Sequence, residues 1–224
     1  MKSAFFRGLA DSLSIAVGYV PVAISFGLAA VYADISPFMA VLTSVLVYAG
    51  ASQFILVSLI AGGAAAASVV GIVLLMNLRH LFYGPALMAR FEGERRLPLI
   101  AMAAGLTDEV FATAVGKLEK LPRADREGWY AGLQLGAYLS WVGGTAAGAY
   151  FGHDWVRDSA ILSQTLGFVL PALFFALLLE IRQLVRLRVL AGAAVATLLG
   201  LWLLPAYAAI VVGMLVGALL AGRQ

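Results

Sequence analysis

The chain of 224 residues has no cysteine, and only 12% of its residues are charged, against about 25% in soluble domains. The first absence excludes disulfides and thiolate metal sites. The second, with 62% hydrophobic residues, is incompatible with a soluble globule of this size. Histidine is nearly missing too, with His80 in an apolar run and His153 in a predicted loop. No Gly-x4-Gly-Lys-Ser/Thr run occurs, so the chain lacks the phosphate-cradling loop that ATP hydrolysis would use. The longest polar stretch, Lys117 to Gly128, is too short to fold alone. These absences predict an all-α, polytopic membrane protein, residues 1–224 forming one transmembrane domain with no soluble one.

What is present is apolar sequence in lengths suited to a bilayer, which needs about 20 residues per helix. Eight segments fit, roughly 12–33, 38–61, 66–88, 98–116, 128–151, 159–180, 189–204 and 205–221. The last two meet at Leu204-Pro205 and are short, so seven spans is the alternative count. Met1 to Ala33 starts with Lys2 and Arg7, but its apolar run is too long for a signal sequence and contains Pro21; it reads as a retained first helix. With both termini in the cytoplasm, ten Lys/Arg residues fall inside (2, 7, 117, 120, 123, 126, 182, 186, 188, 223) and four outside (90, 95, 96, 157). That balance agrees with the positive-inside rule. The 90–96 loop dissents from it.

Pro21 and Pro171 stand within predicted spans, where each removes a backbone hydrogen bond and kinks its helix. The kink serves either packing or a freed carbonyl at a transport site. Ser14, Gly18, Tyr19 and Val20 match Ser163, Gly167, Phe168 and Val169 in spacing, and Gly50 to Gly71 equals Gly192 to Gly213. These matches suggest an inverted repeat of spans 1–3 and 6–8, a plan common among secondary transporters. Chance agreement among Ala, Val and Gly is the rival explanation. Gly144, Gly148 and Gly152, and Gly213 with Gly217, form small-xxx-small ladders for helix packing, within the chain or against a partner.

Three polar clusters interrupt the apolar runs. Tyr48-Ala49-Gly50-Ala51-Ser52-Gln53-Phe54 lies in span 2; Asn77, Arg79, His80 and Tyr83 lie in span 3; Thr107-Asp108-Glu109 lies in span 4. An ionisable group at membrane depth is costly, so it faces protein or a wet cavity and marks a candidate site. A hairpin of spans 3 and 4 would set Arg79 and Asp108 at one depth, about 14 Å below the outer surface. Asp108 and Glu109 point about 100° apart on a helix, so only one can face Arg79. Two readings stay open: Arg79 and a carboxylate form a folding clasp, or they form a substrate site whose second carboxylate exchanges a proton. Ser52 and Gln53 likewise serve as interhelical glue or as substrate contacts.

With those residues in view, the chain resembles the AzlC family, whose best-known members are the larger subunits of bacterial branched-chain amino acid exporters. The match rests on Gly18-Tyr19-Val20-Pro21 through Ser25-Phe26-Gly27, then Tyr48 to Phe54, then Asn77-Leu78-Arg79-His80 with Tyr83-Gly84, then Leu106 to Ala112, in that order. The likeness covers essentially the whole length, with its specific motifs in the first half. It implies an inner-membrane permease that exports valine, leucine or isoleucine, and methionine or toxic analogues as further cargo. It also implies a small hydrophobic partner of the AzlD/YgaH type.

The residues themselves suggest how such cargo would be held. Arg79, or backbone N–H groups near Pro21 and in Gly-rich span 2, would take a carboxylate, with Asn77, Ser25, Ser52 and Gln53 as further polar contacts. Asp108 or Glu109 would take the ammonium, and Phe26, Phe54 and Tyr83 would line the side-chain pocket. Asp108, Glu109 and His80 are the candidate proton carriers for an antiporter. No cofactor is expected. Three rival classes compete: a passive channel, a non-transporting assembly subunit, and an intramembrane hydrolase with Ser25 or Ser52 as nucleophile and His80 as base.

Overall fold

The computed structural model describes residues 2–78, 80–88, 90–91, 97–157 and 186–221. Arg79, Pro171 and the predicted 159–180 span lie outside them. The described residues hold α-helices and one 3-10 turn, and no strand. The helices are α1 (Lys2–Asp11), α2 (Leu13–Tyr32), α3 (Pro37–Leu46), α4 (Gly50–Ala61), α5 (Ala66–Asn77), α6 (His80–Met88), α7 (Leu99–Ala104), α8 (Asp108–Lys117), α9 (Arg123–Arg157), α10 (Leu187–Leu203) and α11 (Ala206–Ala221). Among the described residues, α2 alone is long and apolar enough to cross a membrane by length and composition.

The spine of the molecule is a parallel pair. Gly8 meets Trp129 and Leu133, Gly132 meets Phe5 and Leu9, Gly27 meets Thr145 and Ala149, and Gly152 meets Leu28. Contact thus advances in the same direction along α1–α2 and along α9. The absence of side chains lets the backbones approach this closely. The ladder at Gly144, Gly148 and Gly152 is therefore consumed inside the chain, against Val20, Ala23, Ile24 and Leu28. The second ladder is consumed as well: Gly213 and Gly217 pack on Ala193 and Thr197. Gly200 against Ala209 and Gly192 against Leu220 make α10 and α11 an antiparallel hairpin that turns at Leu204-Pro205.

Against the ruler of α9, two of the expected spans turn out to reverse. The segment 38–61 is not one helix but α3 and α4. Gln53 Nε2 donates to Ser44 Oγ at 2.9 Å, whereas a continuous helix would part these residues by about 13 Å. Ser44 sits at Thr145, Val45 and Tyr48 sit at Tyr138, and Phe54 returns to Phe26. The turn is made at Tyr48, whose φ of +41° is left-handed, and at extended Ala49. A non-glycine residue in that region is a strained choice held by its surroundings.

The segment 98–116 reverses too, at Gly105-Leu106-Thr107. The Met102 carbonyl accepts from Tyr130 and Gln134, and Thr107 sits at Tyr19. From there α8 runs back, so that Lys117 pairs with Asp11 at 2.8 Å and Glu119 with Arg90 at 3.3 Å. Arg90 in turn accepts from Arg126 through its carbonyl, and Phe91 meets Tyr130. Both ends of the 99–117 segment thus lie at the N-terminal end of α9. Asp108 and Glu109, expected mid-helix, occupy the first turn of α8 with Thr107 as N-cap, its side chain accepting from Val110 N at 3.3 Å.

By contrast, α5 and α6 proceed in one direction, from Val69 and Ile72 beside Leu59 to Tyr83 beside Asp108. Leu78 keeps helical dihedrals, and Leu81 N donates to the Leu78 carbonyl. The expected repeat of spans 1–3 and 6–8 involves 159–180, outside the described residues. Its matched glycines stand in different settings, Gly50 opening α4 against Trp141 and Gly192 inside α10.

Candidate functional site

The two reversals meet beside one residue of the Gly18-Tyr19-Val20-Pro21 motif. Tyr19 projects from α2, buried, its hydroxyl 2.7 Å from Thr107 Oγ1 and donating to Glu109 Oε2 at 2.6 Å. Its ring packs edge-on against Trp141 at 5.2 Å. Trp141 Nε1 donates to Gln53 Oε1 at 2.9 Å. Tyr19 therefore stands between the tip of the α7–α8 hairpin and the tip of the α3–α4 hairpin.

The α3–α4 tip is bound by a closed amide network. Gln53 Oε1 also accepts from Ala49 N, Ser44 Oγ and Thr145 Oγ1 lie 2.7 Å apart, and Ser52 Oγ donates to the Ala49 carbonyl. Ser44, Ser52, Gln53 and Thr145 are fully buried. Such partners are what a buried amide needs to offset desolvation. Tyr48 adds a buried hydroxyl with no partner among the described residues.

The α7–α8 tip carries the acids. Asp108 Oδ1 accepts from the Tyr83 hydroxyl at 2.8 Å, while Glu109 faces Tyr19. The divergence of adjacent helical side chains thus sends the two carboxylates to α6 and α2 respectively. At a helix N-terminus both are stabilised by the orphan N–H groups and the dipole. Asp108 is half-buried and Glu109 exposed. Tyr83 stacks on Phe111 at 4.5 Å and meets His80 edge-on at 5.7 Å.

The remaining predicted residues distribute unevenly. Asn77 ends α5 with a buried Oδ1 that has no partner among the described residues. Phe26 and Phe54 form an edge-on pair at 5.4 Å. Pro21 is exposed on a helix that stays continuous, and Ser25 donates to the Pro21 carbonyl. The structure brings together Asp108, His80 and Tyr83, while Glu109 faces Tyr19; it puts Ser52 and Gln53 at the opposing tip and Pro21 on the outer face. Arg79 lies outside the described residues. Tyr19 and Trp141 were not expected at the site, and Thr107 was expected only as a member of its polar cluster. The signals for Tyr19 were its place in the Gly18-Tyr19-Val20-Pro21 motif and a hydroxyl in a largely apolar helix.

Beyond the site, at the N-terminal end of α9, Asp11 is bound by Lys117 and by Trp129 Nε1. Burial pushes its carboxyl up, but those hydrogen bonds and the charges of Lys117 and Arg7 outweigh burial and hold it below the usual carboxylate range. Arg7 also pairs with Asp125 at 2.6 Å.

Comparison with known proteins decides the kinship. Residues 14–154 match the family model described as AzlC protein. The chain belongs to the AzlC family. It is 38% identical over 221 residues to the inner membrane protein YgaZ of Escherichia coli K12, covering 98% of this chain and 90% of that protein. An uncharacterized membrane protein of Archaeoglobus fulgidus is 41% identical over 179 residues, covering 80% and 76%. The branched-chain amino acid transport protein AzlC of Bacillus subtilis is 26% identical over 179 residues, covering 80% and 68%. No solved structure matches. The AzlC chain described here is thus a membrane protein of a transport-related family, and its matched region contains both hairpins and Tyr19.

Proposed function

We propose that this AzlC-family chain is a secondary-active exporter of branched-chain amino acids, valine, leucine and isoleucine, with methionine as further cargo, across the bacterial inner membrane. The observation that carries the proposal is the pairing of Tyr19 with Glu109 and of Tyr83 with Asp108 at a break between helices. The naming of a relative as a branched-chain amino acid transport protein supports the cargo class. The chain works as one transmembrane domain, with both termini cytoplasmic and with a small hydrophobic membrane subunit of the AzlD/YgaH type.

A zwitterion needs an anion site, a cation site and an apolar wall. Arg79 and the N–H groups opening α4 serve the carboxylate, and Asn77 adds a polar contact. Glu109 takes the ammonium, or a proton when the site is empty, and Asp108 and His80 complete the proton-carrying set. Phe26, Phe54 and Tyr83 supply the apolar wall. Glu109 is the central carrier, because its carboxylate is exposed while Tyr19 orients it from behind. Exchange of one proton for one neutral zwitterion carries one positive charge inward, so the membrane potential contributes about 2.3 kcal/mol per 100 mV.

The test is efflux of labelled valine, leucine, isoleucine and methionine from preloaded cells lacking their own exporters, with and without the small subunit and a protonophore. Partner-dependent, protonophore-sensitive efflux is expected. Efflux that follows the gradient and ignores the protonophore would replace the exporter by a passive channel.

A further inference from the structure

The loop geometry described above has a consequence for how the chain sits in its membrane. We infer that α3–α4 and α7–α8 are two re-entrant hairpins that enter the bilayer from opposite faces and meet at Tyr19 and Trp141, so that the cargo crosses between their tips. The crossing role rests on the transport proposal; the sidedness does not.

The directions follow from contacts. α2 runs along α9 and its 20 residues rise about 30 Å, the thickness of a hydrocarbon core. α3 and α4 then go in and come back, 10 and 12 residues long, about 15 to 18 Å each and so about half a bilayer. Their outer ends lie with Tyr32 at one end and with Ala66 at the other side of a short turn, since α4 packs on α5 through Leu59, Val69 and Ile72. The α5–α6 path next descends: Tyr83 is at the level of the tips, and Arg90 and Phe91 reach Arg126 and Tyr130. From that lower end α7 and α8 go in and come back to Lys117 and Glu119. One long helix path followed by one hairpin thus occurs twice, over residues 13–61 and 66–117, in opposite senses. Each hairpin turns over three residues, 47–49 and 105–107.

This arrangement solves two difficulties at once. Non-helical backbone at membrane depth is tolerated where protein buries it or a cavity lies beside it, and the tips are buried at Tyr48, Ala49, Leu106 and Thr107. The basic residues also fall into place. Arg90, placed outside by eight simple spans, stands with Glu119 and Arg126, and so shares one end of the molecule with Arg7, Lys117, Lys120 and Arg123. That end is the cytoplasmic one by the positive-inside rule.

The cysteine-free sequence makes the test direct. The full chain carrying Ala65→Cys, Glu94→Cys or Lys120→Cys, one at a time, is exposed in right-side-out spheroplasts to a membrane-impermeant maleimide, before and after permeabilisation. Eight alternating spans put position 65 on the same face as position 120 and position 94 opposite both. Two re-entrant hairpins reverse this: Ala65→Cys labels in intact spheroplasts, while Glu94→Cys and Lys120→Cys label only after permeabilisation. Separation of positions 94 and 120, or failure of position 65 to label before permeabilisation, overturns the inference. The readout needs no transport, so absent efflux with this labelling pattern would count against the cargo proposal alone.

Discussion

The two hairpin tips have the same three-residue length and opposite chemistry. The α3–α4 tip is neutral, with the Gln53 amide fully engaged by Ala49, Ser44 and Trp141. The α7–α8 tip is anionic, with each carboxylate held by one tyrosine and Glu109 exposed. The first has the features of a fixed structural element, the second of a chemically responsive one. Buried amides raise the cost of any rearrangement, because each bond broken leaves a desolvated group behind. Carboxylates at a helix start, one of them exposed, are open to a ligand with the fold in place.

That contrast can be broken by substitution at either tip. The largest effect is expected from Gln53→Leu, which leaves Trp141 Nε1 and Ala49 N without a partner at about 1–3 kcal/mol each, while Ser44 keeps Thr145. Thermal unfolding in detergent should show a large loss of stability; an unchanged melting temperature would deny the tip its structural role. Next is Glu109→Gln, which should cut efflux roughly tenfold to a hundredfold, the equivalent of a charge-assisted hydrogen bond of about 1.5–3 kcal/mol, with little change in melting. A normal efflux rate in Glu109→Gln would remove this residue from the coupling step. Tyr19→Phe should be milder, since the ring still packs on Trp141, and should displace the pH profile of efflux instead of abolishing it. An unmoved profile would make Tyr19 a packing residue only. The smallest effect belongs to Asp11, remote from both tips. Its carboxyl lies lower when folded than when unfolded, so it stabilises the fold above its unfolded pKa, and that contribution fades as pH falls through the folded one. Asp11→Asn should therefore lower the melting temperature at neutral pH and match the parent in acid.

Much was legible in composition and order. Apolar length announced α2 and the α10–α11 pair within a residue or two, and Gly144, Gly148 and Gly152 declared a packing face, though not that α2 would fill it. The polar motifs Tyr48 to Gln53 and Thr107 to Glu109 coincide with the two reversals. Hydropathy then misled, because a re-entrant hairpin of 25 residues and a spanning helix have nearly the same apolar content. Ala49-Gly50-Ala51 gives no hint that Tyr48 takes φ +41°; that turn is imposed by Gln53, Trp141 and Tyr138 around it. Thr107 ahead of Asp108 and Glu109 is a helix-start signature, masked by the apolar residues on both sides of it.

Sequence by itself determined that the chain lives in a membrane and which polar clusters need protein around them, since both follow from the cost of desolvating particular side chains; the lack of thiols and the AzlC-type motifs are read from it directly. Tertiary structure alone decided what those clusters touch. The parallel approach of α2 and α9 sets Tyr19 beside Trp141, the reversals at 47–49 and 105–107 bring residues about 90 positions apart within hydrogen-bond reach, and the resulting meeting of a locked amide tip with an acidic one depends on contacts that no local pattern encodes.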